Sequence, residues 1–156
     1  MNKIPSNLII DVDGVMTTGQ FIYSNAGKQF KIFGAHDSDG LKLLKNHFKI
    51  TFITADKRGY RITKKRIVDD LEYDLKLISE EDRYEFCNKI GFKKIIFIGD
   101  GIHDAKILKK CFFGIAPKNA RIEAKNSASY ITPSRSAEGA VLDAAKKILK
   151  ILKLKN

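Results

Sequence analysis

Tryptophan is absent from this chain, cysteine and methionine occur twice each, and proline three times. Cys87 and Cys111 have no metal-type spacing, which argues against a thiolate metal site. Both fall on expected helices as reduced core thiols, a usage that suits the cytoplasm. No apolar run exceeds strand length, so no membrane span is expected. The opening segment, Met1 to Asn7, is too short and too polar for a secretory signal. Acidic residues are outnumbered, 18 against 29 Lys and Arg, for a formal charge of +11. The lysines are scattered over every expected helix and crowd Lys146 to Lys155, without aromatic interleaving or a DNA-reading motif. They read as a solvated surface that steers anionic substrates, not as a nucleic-acid site.

What is present is enough for one packed domain over residues 1–156, with 44% hydrophobic residues. Strand-like apolar runs alternate with amphipathic helical stretches, the pattern of an α/β three-layer sandwich with a mostly parallel central sheet. Strands are expected near 7–12, 50–54, 74–78, 94–99 and 113–116, with a short one at 130–132. Helices are expected near 38–47, 59–70, 80–90, 104–110, 119–125 and 137–153. The last places Val141, Ala145, Ile148, Leu149 and Leu152 on one face, with lysines opposite. One stretch breaks the alternation: residues 19–33 read as a β-hairpin flap turning at Ser24-Asn25-Ala26-Gly27. The hairpin and one helix fill the interval from Asp13 to Thr54, and no inserted cap domain fits there or between Thr54 and Asp100.

Chemistry concentrates at three strand ends. The run Leu8-Ile9-Ile10 closes in Asp11-Val12-Asp13-Gly14. Alternation along an extended strand puts residues 11 and 13 on one side, and Gly14 lets the chain turn away. A second buried run ends at Thr54-Ala55-Asp56. A third, Ile95 to Ile98, ends in Gly99-Asp100-Gly101-Ile102-His103-Asp104. Three strands thus deliver polar groups to the carboxyl edge of a sheet, where ligands bind in open α/β folds.

These residues resemble the motifs of the haloacid dehalogenase superfamily of phosphotransferases: DxDG at Asp11, Asp13 and Gly14, the strand-ending Thr54, and GDxxxD at Gly99, Asp100 and Asp104. The hairpin, the run Phe33 to Leu41 and Glu138-Gly139-Ala140-Val141 make the chain similar to the small, capless 3-deoxy-D-manno-octulosonate 8-phosphate phosphatases. The resemblance implies a homotetramer whose neighbouring subunits help close the site. It also implies Asp11 as nucleophile, forming an aspartyl-phosphate, with Asp13 as general acid and then base. Carboxylates beside a phosphate need a cation, and Mg²⁺ favours hard oxygen ligands. Its expected ligands are Asp11, the backbone carbonyl of Asp13 and Asp100. Asp104 is expected to hydrogen-bond in the surrounding shell, to cap a helix, or both. His103 is expected to point to solvent.

Phosphate binding falls to Thr54, Ala55 and a cation. The family offers a lysine in its third motif, but this chain reads Ser79-Glu80-Glu81-Asp82-Arg83, which makes Arg83 the best-placed cation and Lys76 the reserve. Gly34, Ala35, His36, Asp37, Ser38, Lys42 and Arg66 match substrate-contacting positions loosely, and ordinary loop and helix positions explain them equally well. Two further departures bear on a substrate carboxylate. Ala55-Asp56 stands where the family has Gly-Arg, and Glu138 replaces an arginine; Lys57, Arg58 or Arg135 could compensate. The expectation is an Mg²⁺-dependent phosphomonoesterase acting on a sugar phosphate, with no nucleic-acid or membrane partner. The alternative is a non-catalytic or partner-binding subunit of a sugar-nucleotide synthesis system. Hydrolase and phosphotransferase stay unseparated.

Overall fold

A computed structural model describes residues 4–155. Met1 to Lys3, part of the segment judged too polar for a secretory signal, and Asn156 lie outside the described residues. Six parallel strands form the central sheet: β1 (Asn7–Asp11), β4 (Lys49–Thr54), β5 (Asp74–Leu77), β6 (Ile95–Ile98), β7 (Phe113–Ala116) and β8 (Tyr130–Ile131). Their order is β5-β4-β1-β6-β7-β8, and every neighbouring pair is parallel. The chain builds outward from β1 to β4 and β5 on one side, then returns to β6, β7 and β8 on the other. The reversal falls beside β1, which places a ligand crevice at its carboxyl end.

Period-two alternation divides the core. Leu8, Ile10, Phe52, Ile96, Ile98 and Ile115 face a layer that includes Leu41, Leu44, Val141, Ala145 and Ile148. These residues belong to α1 (His36–Leu44) and α6 (Ala140–Leu152). Ile9, Ile53, Ile95 and Phe97 face the opposite layer, with Cys87, Ile107, Leu108 and Ala124. That layer holds α3 (Arg83–Ile90), α4 (Ala105–Lys110) and α5 (Ile122–Ser127). Each such Ile, Leu or Phe withdrawn from water contributes about 1.5–3 kcal/mol. Helix α6 buries the expected face, with Ala144 in addition and Leu152 only partly covered. Gly40 lets α1 approach α6 closely, because a Cβ there would meet the Val141 carbonyl oxygen at 2.7 Å.

Differences from expectation lie at the ends of elements. The first strand stops at Asp11, because residues 12–16 form a wide turn with Gly14 at φ +90°. The helix expected from 80 starts at Arg83. Ser79 Oγ donates to Asp82 Oδ2 (2.7 Å) and accepts from the Asp82 N–H (3.1 Å), so the preceding residues form its entry turn. The helix expected over 59–70 is α2 (Tyr60–Lys64), continuing in wider turns over Lys65–Asp70. The hairpin consists of β2 (Thr17–Ser24) and β3 (Gly27–Phe33), paired antiparallel and separate from the main sheet. Among the described residues there is no cap domain, and no helix is long and apolar enough to cross a membrane.

Candidate active site

Asp11 ends β1, Thr54 ends β4 and Asp100 follows β6 across Gly99, so three adjacent strands bring these groups to one edge. Asp11, Asp13, Arg83, Asp100 and Asp104 line a cavity of about 770 Å³ that also touches Phe21 and Lys28 of the hairpin. Carboxylate oxygens of Asp11, Asp100 and Asp104 lie within 4.8 Å of one another. Burial first, and then the neighbouring Asp104, push the Asp11 carboxyl well above its ordinary value. The same two causes push Asp100 up to about 6. Such a cluster carries an excess of negative charge that a cation would relieve, and its hard oxygens suit Mg²⁺.

Gly14 makes the cluster possible. It holds the left-handed conformation at φ +90°, and a Cβ there would fall on the Asp100 carboxylate. Its N–H donates to Thr17 Oγ1 at 3.2 Å, and the same hydroxyl oxygen accepts from the Gly19 N–H at 3.1 Å. Residues 11 and 13 therefore share the cavity through a glycine turn, not through continued strand alternation.

Both carboxylate oxygens of Asp104 already accept hydrogen bonds. Its Oδ2 accepts from the N–H groups of Asp100 and Gly101, both at 3.0 Å, and its Oδ1 accepts from Arg83 Nη1 at 2.6 Å. It braces the Asp100 loop from behind and, through the Gly101 N–H, caps the single tight turn Ile102–Asp104 that leads into α4, while making no side-chain cap on α4 itself. Asp11 and Asp100 remain as the carboxylates with oxygens available to a cation.

Arg83 enters the cavity wall from the first residue of α3. Its Nη1 lies 3.6 Å from Asp11 Oδ2 as well, and its Nε is buried without a hydrogen-bond partner. Burial alone would lower its pKa, but Asp11 and Asp104 outweigh that and raise it, so the guanidinium stays charged. Lys76, the reserve cation, is exposed 3.7 Å from Asp74 and does not line the cavity.

Thr54 closes β4 as expected, and its hydroxyl is engaged within the protein. It is fully buried, and its hydroxyl proton goes to Asp13 Oδ2 at 3.0 Å while its oxygen accepts from the Asp56 N–H at 3.1 Å. A hydroxyl has a single proton, so a phosphate oxygen would compete with Asp13 for it. Ala55 does line the cavity, and so does His103, whose Nε2 lies 3.1 Å from Glu80 Oε2.

The loosely matched substrate positions are not gathered at the cavity. Gly34, Ala35, His36, Asp37, Ser38, Lys42 and Arg66 are all absent from its lining. Asp37 is fully buried, and its Oδ1 accepts from the Val141 N–H at 2.8 Å, so it caps the start of α6. Ser38 Oγ donates to the Ala35 carbonyl at 2.7 Å, and Lys42 pairs with Asp39 at 3.2 Å on the surface. Of the compensating cations, Lys57 lines the cavity, whereas Arg58, Arg135 and also Glu138 do not.

Sequence reasoning missed Lys28, Lys31 and the role of Asp56. Lys31 Nζ lies 2.8 Å from both Asp13 Oδ1 and Asp56 Oδ2, and Lys28 Nζ lies 2.6 Å from Asp56 Oδ2. Burial would raise the Asp56 carboxyl, but hydrogen bonds from Lys28 and Lys31 prevail and bring it to about 2. The available signal was Lys28 and Lys31 standing among the apolar residues of the hairpin's returning strand.

The haloacid dehalogenase-like hydrolase pattern matches residues 85–144. Over 147 residues the chain is 29% identical to the 3-deoxy-D-manno-octulosonate 8-phosphate phosphatase of Haemophilus influenzae, covering 91% of this chain and 81% of that one. The cobalt-bound structure of the deoxy-D-mannose-octulosonate 8-phosphate phosphatase from that organism superposes with a TM-score of 0.76 at 27% identity, over 94% of this chain and 88% of its own. The chain is thus similar, in a sequence pattern over residues 85–144 and in fold over most of its length, to haloacid dehalogenase-like hydrolases. A third relative, the 3-deoxy-D-manno-octulosonate 8-phosphate phosphatase of Moraxella catarrhalis, was solved with magnesium, phosphate and KDO. It matches at TM-score 0.77 and 25% identity, over 96% of this chain and 88% of its own. The strand-end carboxylates Asp11, Asp13, Asp100 and Asp104 all line the cavity.

Proposed function

We propose that this chain is a single-domain, Mg²⁺-dependent phosphomonoesterase. Its substrate is a sugar phosphate, 3-deoxy-D-manno-octulosonate 8-phosphate or a related keto-sugar acid phosphate. The observation that carries the reading is the convergence of Asp11, Asp100 and Asp104 within 4.8 Å, with Asp13 on the same cavity. The names of the relatives support the substrate class.

Asp11 Oδ attacks phosphorus, and the bond to the sugar oxygen breaks as an aspartyl-phosphate forms. Asp13 supplies a proton to the departing alkoxide and later takes one from the water that hydrolyses the intermediate. Arg83, the Ala55 backbone and a redirected Thr54 hydroxyl receive the phosphoryl oxygens. Asp11, the Asp13 carbonyl and Asp100 would hold Mg²⁺, which supplies charge neutralisation between the carboxylates and the phosphate. Asp104 keeps Asp100 and Arg83 in place.

Phe21, Ile22, Tyr23, Phe30 and Ile32 of the hairpin are exposed. These uncovered apolar side chains support assembly into a homotetramer, checked by light scattering. Phosphate release from a sugar-phosphate panel, with Mg²⁺ and with EDTA, tests the function. Turnover that needs Mg²⁺ and disappears in Asp11→Asn is expected. Metal-independent turnover defeats the mechanism; a stable partner with no turnover on any ester favours the non-catalytic subunit instead.

A further inference from the structure

On strand β3, Phe30 and Ile32 turn outward and Lys31 turns inward. Phe30 and Ile32 are 62% and 48% exposed, whereas Lys31 between them is buried. Burying an ammonium is unfavourable unless its donors are matched, and an apolar residue would cost less at a position needed only for packing. Lys31 Nζ makes one hydrogen bond and two ion pairs. Nζ donates to Thr63 Oγ1 at 2.8 Å and lies 2.8 Å from Asp56 Oδ2 and from Asp13 Oδ1.

Two of these partners are anchored in the body of the protein. Thr63 belongs to α2, and Asp56 is itself fastened by the Gly59 N–H at 3.0 Å. The third, Asp13, sits at the tip of the turn that follows the nucleophile. Its other oxygen, Oδ2, receives the Thr54 hydroxyl at 3.0 Å. Oδ2 of Asp13 is thus held by a hydrogen bond from a neutral hydroxyl, while its buried Oδ1 has no hydrogen-bond partner and is held by the charge of the Lys31 ammonium 2.8 Å away.

We propose that Lys31 is a positioning residue for the acid–base carboxylate: the hairpin of the same chain orients Asp13 over the scissile phosphate. The inference rests on the phosphomonoesterase reading. Asp13 delivers a proton to the leaving oxygen as the P–O bond breaks, and accepts one from water as the aspartyl-phosphate is hydrolysed. Both transfers need its oxygens aimed at the reacting atoms, and Lys31 sets that aim without touching substrate.

The test compares two phosphate esters in wild type, Lys31→Met and Lys31→Arg. One is an alkyl sugar phosphate active in the panel, whose alkoxide needs a proton to depart. The other is p-nitrophenyl phosphate, whose phenolate leaves without one. In Lys31→Met, kcat on the alkyl ester is expected to fall about 100-fold with KM nearly unchanged. On p-nitrophenyl phosphate the first turnover survives as a burst of about one product per site, followed by slow turnover, because only the water step still depends on Asp13. Lys31→Arg is expected to recover part of kcat. Equal loss on both esters without a burst, or a rise in KM alone, makes Lys31 a tether of the hairpin and overturns the proposal. Should Lys31→Met not fold, Lys31→Gln, which can still donate to Thr63, carries the same comparison. An inactive wild type on every ester defeats the phosphomonoesterase reading itself; an active wild type with unaltered Lys31 variants defeats only this inference.

Discussion

Arg83 Nη1 lies 2.6 Å from Asp104 Oδ1 and 3.6 Å from Asp11 Oδ2, so one buried guanidinium joins the bracing carboxylate to the proposed nucleophile. An arginine suits this position because its planar, permanently charged head can hold a carboxylate on one edge and face a phosphate with the rest. Asp104 in turn holds the Asp100 backbone, so the cation and the metal-facing loop are positioned by one side chain.

Arg83→Ala should therefore injure both stability and catalysis. Removing one partner of a buried pair leaves Asp104 uncompensated, a loss of about 3–5 kcal/mol in urea unfolding. The kcat/KM on a sugar phosphate is expected to fall about 10²–10³-fold, as for the loss of other groups that stabilise developing charge. Arg83→Lys should recover more of the stability than of the activity.

Asp104→Asn is expected to weaken Mg²⁺ binding about 10–100-fold by calorimetry, although Asp104 need not touch the ion. The amide keeps its bulk but loses the charge that orients Arg83. An unchanged affinity would remove Asp104 from the support of the metal site.

Asp37→Ala should leave KM for the sugar phosphate unaltered and lower stability by about 1–2 kcal/mol, the usual loss for a helix cap. Burial pushes the Asp37 carboxyl up, against the pull of the Val141 and Gly139 N–H groups. Asp37→Asn, which keeps an acceptor for Val141 without the buried charge, should retain the stability of the parent chain. A raised KM in either variant would restore Asp37 to the substrate site.

Stability should fall in acid in a way that depends on Asp56. Its folded pKa of about 2 lies below the ordinary 3.8, so its ion pairs contribute fully above the ordinary value and are lost as pH falls through about 2. Urea midpoints should drop more steeply between these limits in the parent chain than in Asp56→Asn. Parallel curves would mean that Lys28 and Lys31 do not hold the hairpin through this carboxylate.

The strand-end carboxylates were legible because their cause is local. Leu8-Ile9-Ile10 and Ile95 to Ile98 read as buried strands, and each is followed within two residues by an acid at its carboxyl end. The alternation of strand-like with helical segments likewise anticipated two helix layers, and the structure divides Ile9 from Leu8 and Ile10 between its two clusters. Element ends were less legible. Where β1 stops depends on Gly14 adopting a positive φ beneath Asp100, a contact between segments far apart in the chain.

The amino-acid order alone determined the sheet, the layers and which carboxylates stand at its edge, because periodicity and burial act over a few residues at a time. Tertiary structure decided what each polar side chain meets. Lys31 reaches Asp13 only because the hairpin folds back, Thr54 turns its proton to Asp13 only once β4 lies beside β1, and Asp37 caps a helix 104 positions away. A hydrogen bond is directional and short-ranged, so its partner is selected by the packed geometry and leaves no periodic trace in the chain.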